Sequence, residues 1–243
     1  MSGKNNRDRA KAKRVVQEQL AKERRRRITL WTSLGVVALL IIVGLVGWGV
    51  AAGQESDKTA GLTTPSVAVD DGTAFAVGTG PVKVDIYEDF MCPVCGEFET
   101  GAATTIDQLV AANKVTVQYH PIAILDRASS TEYSTRSAAA SAAAAQGGKF
   151  AEYHRVLFAN QPAEGSAGLD NAKLIELGKS VGLTDAAFSD AVNGGTYKAW
   201  ATKVTDTAAS RGVNSTPTVL VGGKALEDRS AQGLTAAVEA AGA

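Results

Sequence analysis

The stretch DFMCPVCGEF, residues 89–98, contains both cysteines of this 243-residue chain. The segment before it, VKVDIYEDF at residues 82–90, alternates apolar and polar residues and predicts a β-strand. The residues after it repeat apolar side chains at helical spacing as far as Asn113. The two cysteines, Cys92 and Cys95, are therefore predicted where a strand ends and a helix begins.

This position gives the two cysteines different chemistry. Pro93 suits the first position of a helix, because its missing N–H would be unpaired there, and Cys92 then occupies the N-cap. The N–H groups of Val94 and Cys95 are expected to point at the Cys92 sulfur and, with the helix dipole, to lower its pKa. Cys95 lies one turn later on the same face, within bonding reach. The sequence thus predicts Cys92 as a nucleophile and Cys95 as the cysteine that resolves a mixed disulfide.

Two alternatives to redox chemistry remain for the CPVC pair. A structural disulfide that closes so short a loop would stabilise little, because the entropic benefit grows with loop length. A metal site would need further ligands, for which the sequence offers His120 and His154 but no second cysteine pair. Dithiol redox chemistry is therefore favoured, and no metal, nucleotide or flavin cofactor is expected.

The rest of the folded region extends this pattern. KVTVQYH at residues 114–120 predicts a second strand, which a right-handed crossover would place parallel to the first. Residues 129–212 have helical patterns almost throughout. Residues 217–228 predict a buried strand, a Gly-Gly turn and a short antiparallel partner. An Ala-rich helix is predicted from about Ser230 to Ala240.

Three motifs in this order, DFMCPVC, GKFAEYHRVLFANQ and GVNSTPTVLVGGKAL, resemble those of the DsbA-like thiol-disulfide oxidoreductases, in particular membrane-anchored actinobacterial forms. The resemblance covers residues 75–241. It implies an α/β thioredoxin fold, βαβ plus ββα, in a domain at residues 74–243. It also implies a helical insertion at about residues 126–212 of that domain.

The resemblance further implies a cis peptide bond between Thr216 and Pro217 that faces Cys92. A proline at the start of a strand donates no ladder hydrogen bond, so the Thr216 backbone is free to pair with an extended substrate segment. Pro93 and Val94 are expected to contact the same segment. A trans proline that merely begins a strand is the alternative suggested by the usual frequency of cis bonds.

Other ionisable residues lie near the dithiol in sequence. Many relatives place a buried acid six residues before the nucleophile, where this chain has Ile86. Glu88 shares a strand face with Ile86 and is the candidate proton shuttle, whereas Asp85 would point to the other face. Solvated carboxylates are the alternative for both acids. His120 is expected to be a packed or capping residue at a strand end, with a position near the dithiol as the alternative, and His154 is expected to be structural. The apolar residues around His154 are expected in the core rather than in a substrate groove: Phe150, Tyr153, Val156, Leu157 and Phe158.

The N-terminal region predicts a membrane anchor. Residues 28–50 contain no ionisable side chain and would span about 34 Å as a helix, enough to cross a bilayer. The preceding ERRRR places residues 1–27 in the cytoplasm and the catalytic domain outside. A cleaved signal peptide is the alternative, although its apolar core is normally shorter. Residues 51–73 are small and polar and predict an extracytoplasmic linker.

The charge distribution of the chain excludes one class of function and leaves a membrane-tethered enzyme as the expected one. Residues 1–27 contain 11 Lys or Arg and 3 Asp or Glu in a chain of zero net charge, so the remainder is acidic and unsuited to nucleic acid. We expect a membrane-tethered enzyme that forms disulfides in reduced or misoxidised exported proteins, reoxidised, as the resemblance suggests, by a quinone-linked membrane oxidase. The alternatives are a disulfide reductase or isomerase, including cytochrome maturation or thiol rescue, and a non-catalytic peptide-binding or chaperone module. A copper-handling protein is disfavoured by two Met and two His.

Overall fold

The computed structural model describes residues 61–242. The predicted cytoplasmic segment 1–27, the membrane-spanning segment 28–50 and the first part of the linker, 51–60, lie outside these residues. Within the described part of the chain, no helix has both the length and the apolar character that a membrane span requires.

A five-stranded mixed sheet forms the centre of the described domain. Its strands are β1 Phe75–Val77, β2 Val82–Glu88, β3 Val115–Pro121, β4 Thr218–Val221 and β5 Lys224–Ala225. Their order across the sheet is β1-β3-β2-β4-β5. Strands β2 and β3 are parallel, as the predicted βαβ unit requires, and the other neighbouring pairs are antiparallel.

Helices surround the sheet and fill the sequence between β3 and β4. The helices are α1 Pro93–Ala111, α2 Tyr133–Gln146, α3 Phe150–Ala159, α4 Asn171–Ser180, α5 Ala186–Gly194, α6 Lys198–Ser210 and α7 Ala231–Ala240, with a short 3-10 helix at Asp126–Ala128. Helices α1 and α6 both contact β3, and α1 also contacts α7. Helix α2 contacts α3, α4, α5 and α6, because its run of alanines lets neighbouring helices approach closely. The helices between β3 and β4 all fall within residues 126–212, where the insertion was expected.

The central strand β2 is covered on both faces. It lies between β3 and β4, and each of its residues except Lys83 is buried. The alternation in VKVDIYE is typical of a strand with one solvated face, yet Asp85 and Glu88 are 3% and 0% exposed. The alternative of solvated carboxylates at these two positions is therefore wrong, because neighbouring elements cover both sides of a central strand.

The N-terminal part of the described chain differs from the expected linker. Residues 61–73 were predicted to be linker, but Trp200 Nε1 donates a hydrogen bond to Gly72 O at 2.7 Å and Thr73 is buried. Asp70 forms an ion pair with Arg211. These contacts attach the segment to α6 and to the residue directly after it, so the linker expectation fails for this part. The three-residue edge strand β1, which follows, was not predicted.

Candidate active site

Cys92 lies at the predicted helix end. It is the N-cap residue of α1, with extended backbone, and Pro93 is the first residue of the helix. Both cysteines are free thiols, and Cys92 is 6% exposed. The pKa of Cys92 is lowered from 9.0 to about 5, chiefly by a hydrogen bond from the Cys95 side chain. Hydrogen bonds from the Thr216 side chain and from the N–H groups of Cys95 and Val94 add to this effect and outweigh the opposing effect of burial.

Cys95 has the opposite electrostatic environment. Its side chain is 0% exposed, and burial is the main cause that raises its pKa. The nearby Cys92 sulfur raises the pKa further, while a hydrogen bond from the Asp89 backbone opposes the shift in part. Cys92 is therefore a thiolate at neutral pH, and Cys95 is a protonated thiol that becomes reactive only when its proton is removed.

The loop before β4 brings a second segment to the Cys92 sulfur. The Thr216–Pro217 peptide bond is cis, in agreement with the resemblance. Cys92 Sγ lies 3.6 Å from Thr216 O, and Pro217 is buried directly before β4 begins. Pro93, the residue after the nucleophile, is exposed, and Val94 is 48% exposed. The low-pKa sulfur is thus bordered by a backbone carbonyl and by two accessible side chains.

Comparisons with known proteins agree with this geometry. A family model described as Thioredoxin matches residues 56–240. The reduced form of the disulfide bond oxidoreductase DsbG from Mycobacterium tuberculosis is 37% identical, with a TM-score of 0.63, covering 70% of this chain and 88% of that one. Reduced DsbA from the same organism is 36% identical, with a TM-score of 0.62, covering 69% of this chain and 91% of its own. The chain belongs to the DsbA-like thiol-disulfide oxidoreductases of the thioredoxin family.

A more distant structure and a curated protein extend the comparison of this DsbA-like chain. MdbA, a thiol-disulfide oxidoreductase from Actinomyces oris, shares the fold at 19% identity and a TM-score of 0.60, covering 73% of this chain and 92% of MdbA. The serine/threonine-protein kinase PknE of Mycobacterium tuberculosis H37Rv is 34% identical over 161 residues. That match covers 62% of this chain and 28% of PknE, so the chain spans little more than a quarter of the length of this relative.

In this DsbA-like site, Asp89 organises the loop between β2 and α1. Its Oδ1 accepts hydrogen bonds from Met91 N at 2.9 Å and Ser134 Oγ at 2.7 Å, and its Oδ2 accepts one from Leu125 N at 3.0 Å. Burial raises the pKa of Asp89 to about 6, while these three donors oppose the shift. Asp89 therefore joins the cysteine loop to α2 and to the segment after β3.

Gln161, just after α3, holds the same loop from another direction. Its Nε2 donates hydrogen bonds to Phe90 O at 3.2 Å and to Cys92 O at 2.8 Å. A Cβ at Gly96 would lie 2.4 Å from Gln161 Oε1, so a larger residue at that position would displace the Gln161 side chain. Sequence reasoning missed both Asp89 and Gln161, although the glycine directly after CPVC was a local sign of close packing.

Glu88, the candidate proton shuttle, is buried against a histidine of the inserted helices. Glu88 Oε1 lies 2.5 Å from His154 Nε2, and burial raises the pKa of Glu88 well above its usual range. His154 Nδ1 lies 3.9 Å from Oε2 of a second buried acid, Glu99, whose pKa burial raises to about 7. His154 was expected to be purely structural, and Glu99 was not singled out.

These three residues are also a group that could bind a metal ion. One ligand atom from each of Glu88, Glu99 and His154 lies within 4.8 Å of the others, and all three residues are buried. Imidazole and carboxylate ligands suit zinc or manganese. The sequence did not predict such a cluster, because its members come from three different elements.

The other described histidine is packed as expected. His120 Nδ1 lies 3.1 Å from Thr73 O, its Nε2 lies 3.4 Å from Asp85 Oδ1, and its ring stacks on Tyr87 at a centroid distance of 4.1 Å. Asp85 also forms an ion pair with Lys83 at 3.0 Å. Asp85 therefore belongs to this separate cluster, which agrees with the prediction that it points away from the face of Glu88.

Proposed function

We propose that this chain is a membrane-tethered, extracytoplasmic enzyme that forms disulfide bonds in exported proteins through Cys92 and Cys95. The observation that carries the proposal is the opposite shift of the two thiol pKa values at one helix end. A low-pKa sulfur is both a ready nucleophile and a good leaving group in thiol–disulfide exchange. Stabilising the reduced thiolate also makes the disulfide form a stronger oxidant.

The reaction begins from the Cys92–Cys95 disulfide. A substrate thiolate attacks Cys92 Sγ, a mixed disulfide forms, and the Cys92–Cys95 bond breaks as Cys95 leaves and takes up a proton. A second substrate thiolate then attacks the substrate sulfur of the mixed disulfide. The substrate disulfide forms, Cys92 leaves as a thiolate, and two electrons have passed from the substrate to the enzyme.

The surface around Cys92 suits an extended segment of the substrate. The Thr216 backbone lies beside the nucleophile and can pair with a peptide main chain, since Pro217 provides no N–H to the sheet at this point. Exposed Pro93 and Val94, directly after Cys92, offer apolar contacts to the same segment. These contacts recognise no particular side chain, which fits a catalyst of many unfolded, exported substrates.

The proposal places the catalytic domain outside the membrane, with residues 28–50 as the anchor and residues 1–27 in the cytoplasm. A quinone-linked membrane oxidase would restore the disulfide, and the anchor would keep both proteins at high effective concentration. Protease treatment of intact cells tests the topology. We expect cleavage of the domain after Ala51 and protection of residues 1–27.

Net reduction or isomerisation is the second candidate. The CPVC dipeptide lacks a histidine to stabilise the thiolate further, and Thr216 precedes the cis proline as in the isomerase branch of the family that the sequence resembles. The same sulfur chemistry would then run towards reduced products. Both candidates need Cys92, so the direction of net transfer distinguishes them.

The deciding experiment supplies the oxidised full-length protein, in detergent, to a reduced and unfolded substrate without another oxidant. We expect one substrate disulfide to form for each enzyme disulfide consumed, and none with the Cys92→Ser control. If no disulfide forms while the reduced enzyme efficiently reduces insulin, the oxidase proposal is wrong and the reductase replaces it.

A further inference from the structure

Three buried ionisable side chains are grouped together on β2, α1 and α3 and have no part in sulfur exchange itself. Glu88, His154 and Glu99 are 0%, 3% and 8% exposed. Among residues 61–242, Glu88 Oε2 and Glu99 Oε1 are buried carboxylate oxygens that have no hydrogen-bond partner among the protein atoms. Leaving such atoms buried and unpaired costs free energy, so the fold retains an arrangement that packing alone disfavours.

The three side chains form a row that begins at Glu88 on β2, the residue directly before Asp89. The Cys95 sulfur accepts a hydrogen bond from the backbone of Asp89, the residue directly after Glu88, so the main chain at Glu88 lies next to Cys95. Glu88 Oε1 lies 2.5 Å from His154 Nε2, and His154 Nδ1 lies 3.9 Å from Glu99 Oε2. The row therefore crosses from β2, through α3, to α1.

The far end of the row opens on a small cavity near the surface. Its volume of about 20 Å³ is enough for one water molecule, and Glu99, Tyr119 and His154 are among its lining residues. A water there can bridge the 3.9 Å step between His154 and Glu99, which is too long for a direct hydrogen bond. Asp107 and Arg155 also line the cavity, and their side chains are 55% and 53% exposed.

We propose that Glu88, His154 and Glu99 form a proton relay between the Cys95 sulfur and solvent. The proposal rests on the thiol–disulfide exchange proposed above and adds His154 and Glu99 to the residues that take part in it. When Cys95 becomes a leaving group, Glu88 Oε2–H gives it a proton, and His154 Nε2–H passes a proton to Glu88 Oε1. Glu99 then protonates His154 Nδ1, through the bridging water, and recovers its own proton from solvent.

A relay fits these groups better than Glu88 acting alone. Burial and the neighbouring Asp89 charge keep the Glu88 carboxyl protonated, so it cannot accept a proton without releasing one. Its two oxygens permit both events at once, since Oε1 faces His154 and Oε2 is free of other partners in the described chain. An imidazole can likewise accept a proton at one nitrogen while it releases one from the other.

The direction of transfer reverses in each half of the cycle. Substrate oxidation moves one proton inward to Cys95, and reoxidation of the dithiol moves one outward by the reverse steps. Each proton transfer along the relay moves the N–H of neutral His154 from one ring nitrogen to the other, and the next transfer, in the opposite direction, moves it back. The neutral His154 tautomer should therefore differ between the oxidised and reduced proteins.

Nuclear magnetic resonance of the ¹⁵N-histidine-labelled full-length protein, in detergent, tests this point without a substitution. The chain has two histidines, so His120, in its separate cluster, serves as an internal reference. We expect the His154 nitrogen shifts to exchange between the Nδ1–H and Nε2–H tautomers with redox state, while those of His120 stay constant. The same His154 tautomer in both redox states would overturn the relay.

Kinetics provide the second test. In single-turnover reaction of the oxidised protein with a reduced peptide, His154→Gln and Glu99→Gln should slow release of Cys95 by about 10²-fold, the usual lower range for general acid catalysis. The Cys92 thiolate titration should stay unchanged. Glu152→Gln, on α3 with a side chain that is 45% exposed, is the matched control and should stay within about twofold of wild type.

The results of these experiments distinguish a failure of the relay from a failure of the proposed function. A wild-type protein that exchanges no disulfide contradicts the function itself. An active wild type with undiminished His154→Gln and Glu99→Gln rates contradicts the relay alone. Stoichiometric Zn²⁺ binding to the purified protein that is lost in His154→Gln would instead assign the cluster to a metal, although its short Glu88–His154 contact occupies a nitrogen that a metal would need.

Discussion

The reduction potential of the Cys92–Cys95 pair should change its dependence on pH near pH 5. Below that value, reduction of the disulfide takes up two protons, one for each sulfur. Above it, Cys92 remains a thiolate because its pKa is lowered to about 5, whereas buried Cys95 still takes up a proton. We therefore expect a slope of about −59 mV per pH unit below pH 5 and about −30 mV above it, for a two-electron couple.

The pKa of Cys92 also sets the size of the effect at neutral pH. Because the pKa of Cys92 is lowered from 9.0 to about 5, the thiolate stabilises the reduced form of the protein. This stabilisation is complete above pH 9 and is lost as the pH falls through pH 5. At pH 7, which lies two pH units above the lowered pKa, the stabilisation of the reduced form corresponds to about 3 kcal/mol. That free energy makes the pair about 60 mV more oxidising than one with an ordinary thiol at position 92.

Equilibration with glutathione or dithiothreitol buffers between pH 4 and pH 8, followed by acid quench and maleimide labelling, measures the potential. Thiolate absorbance at 240 nm should rise with a midpoint near pH 5 in the reduced protein, and the Cys92→Ala control should lack this step. A slope that stays near −59 mV per pH unit up to pH 8 would refute the lowered pKa and the oxidising power derived from it.

Two further predictions concern the same loop. In the reduced protein at pH 6, iodoacetamide should modify Cys92 at least about 10²-fold faster than Cys95, because only Cys92 is a thiolate. Equal modification rates, measured by mass spectrometry, would contradict the assignment of nucleophile and resolving cysteine. Gln161→Ala should lower the free energy of unfolding in urea by about 1–3 kcal/mol, because two hydrogen bonds are lost. The control Glu164→Gln, at an exposed position, should have little effect. Equal stability of the two variants would show that the Gln161 contacts contribute nothing.

Local sequence patterns predicted much of the fold. Strand β2, helix α1 and strand β3 could be predicted because apolar spacing distinguishes strands from helices, and Pro93 marks the first residue of α1. The β4–β5 hairpin follows from Gly222-Gly223, both of which have positive φ. Strand β1 could not be predicted, because three residues carry no periodicity and their structure comes from pairing with β3.

The candidate active site also contains residues that the sequence predicted and residues that it did not. Cys92 and Cys95 are close in sequence, so helix geometry alone indicates how they interact, and the resemblance placed Thr216 beside them. Glu88 and His154 are 66 residues apart, and the helical pattern around His154 shows that it faces the interior without showing which partner it meets there. Polar contacts between distant elements depend on the complete packing of the domain, which no local pattern contains.

The bonds of Asp89 and Gln161 to the cysteine loop have a consequence for how this enzyme class diversifies. Both side chains connect the loop to segments between β3 and β4, far in sequence from CPVC. Mutations that accumulate there can shift the backbone around Cys92, and with it the thiolate's hydrogen bonds, while the four-residue motif stays unchanged. Two homologues with identical CPVC sequences can therefore evolve different oxidising strengths, and the source of the difference would have to be sought in the helices.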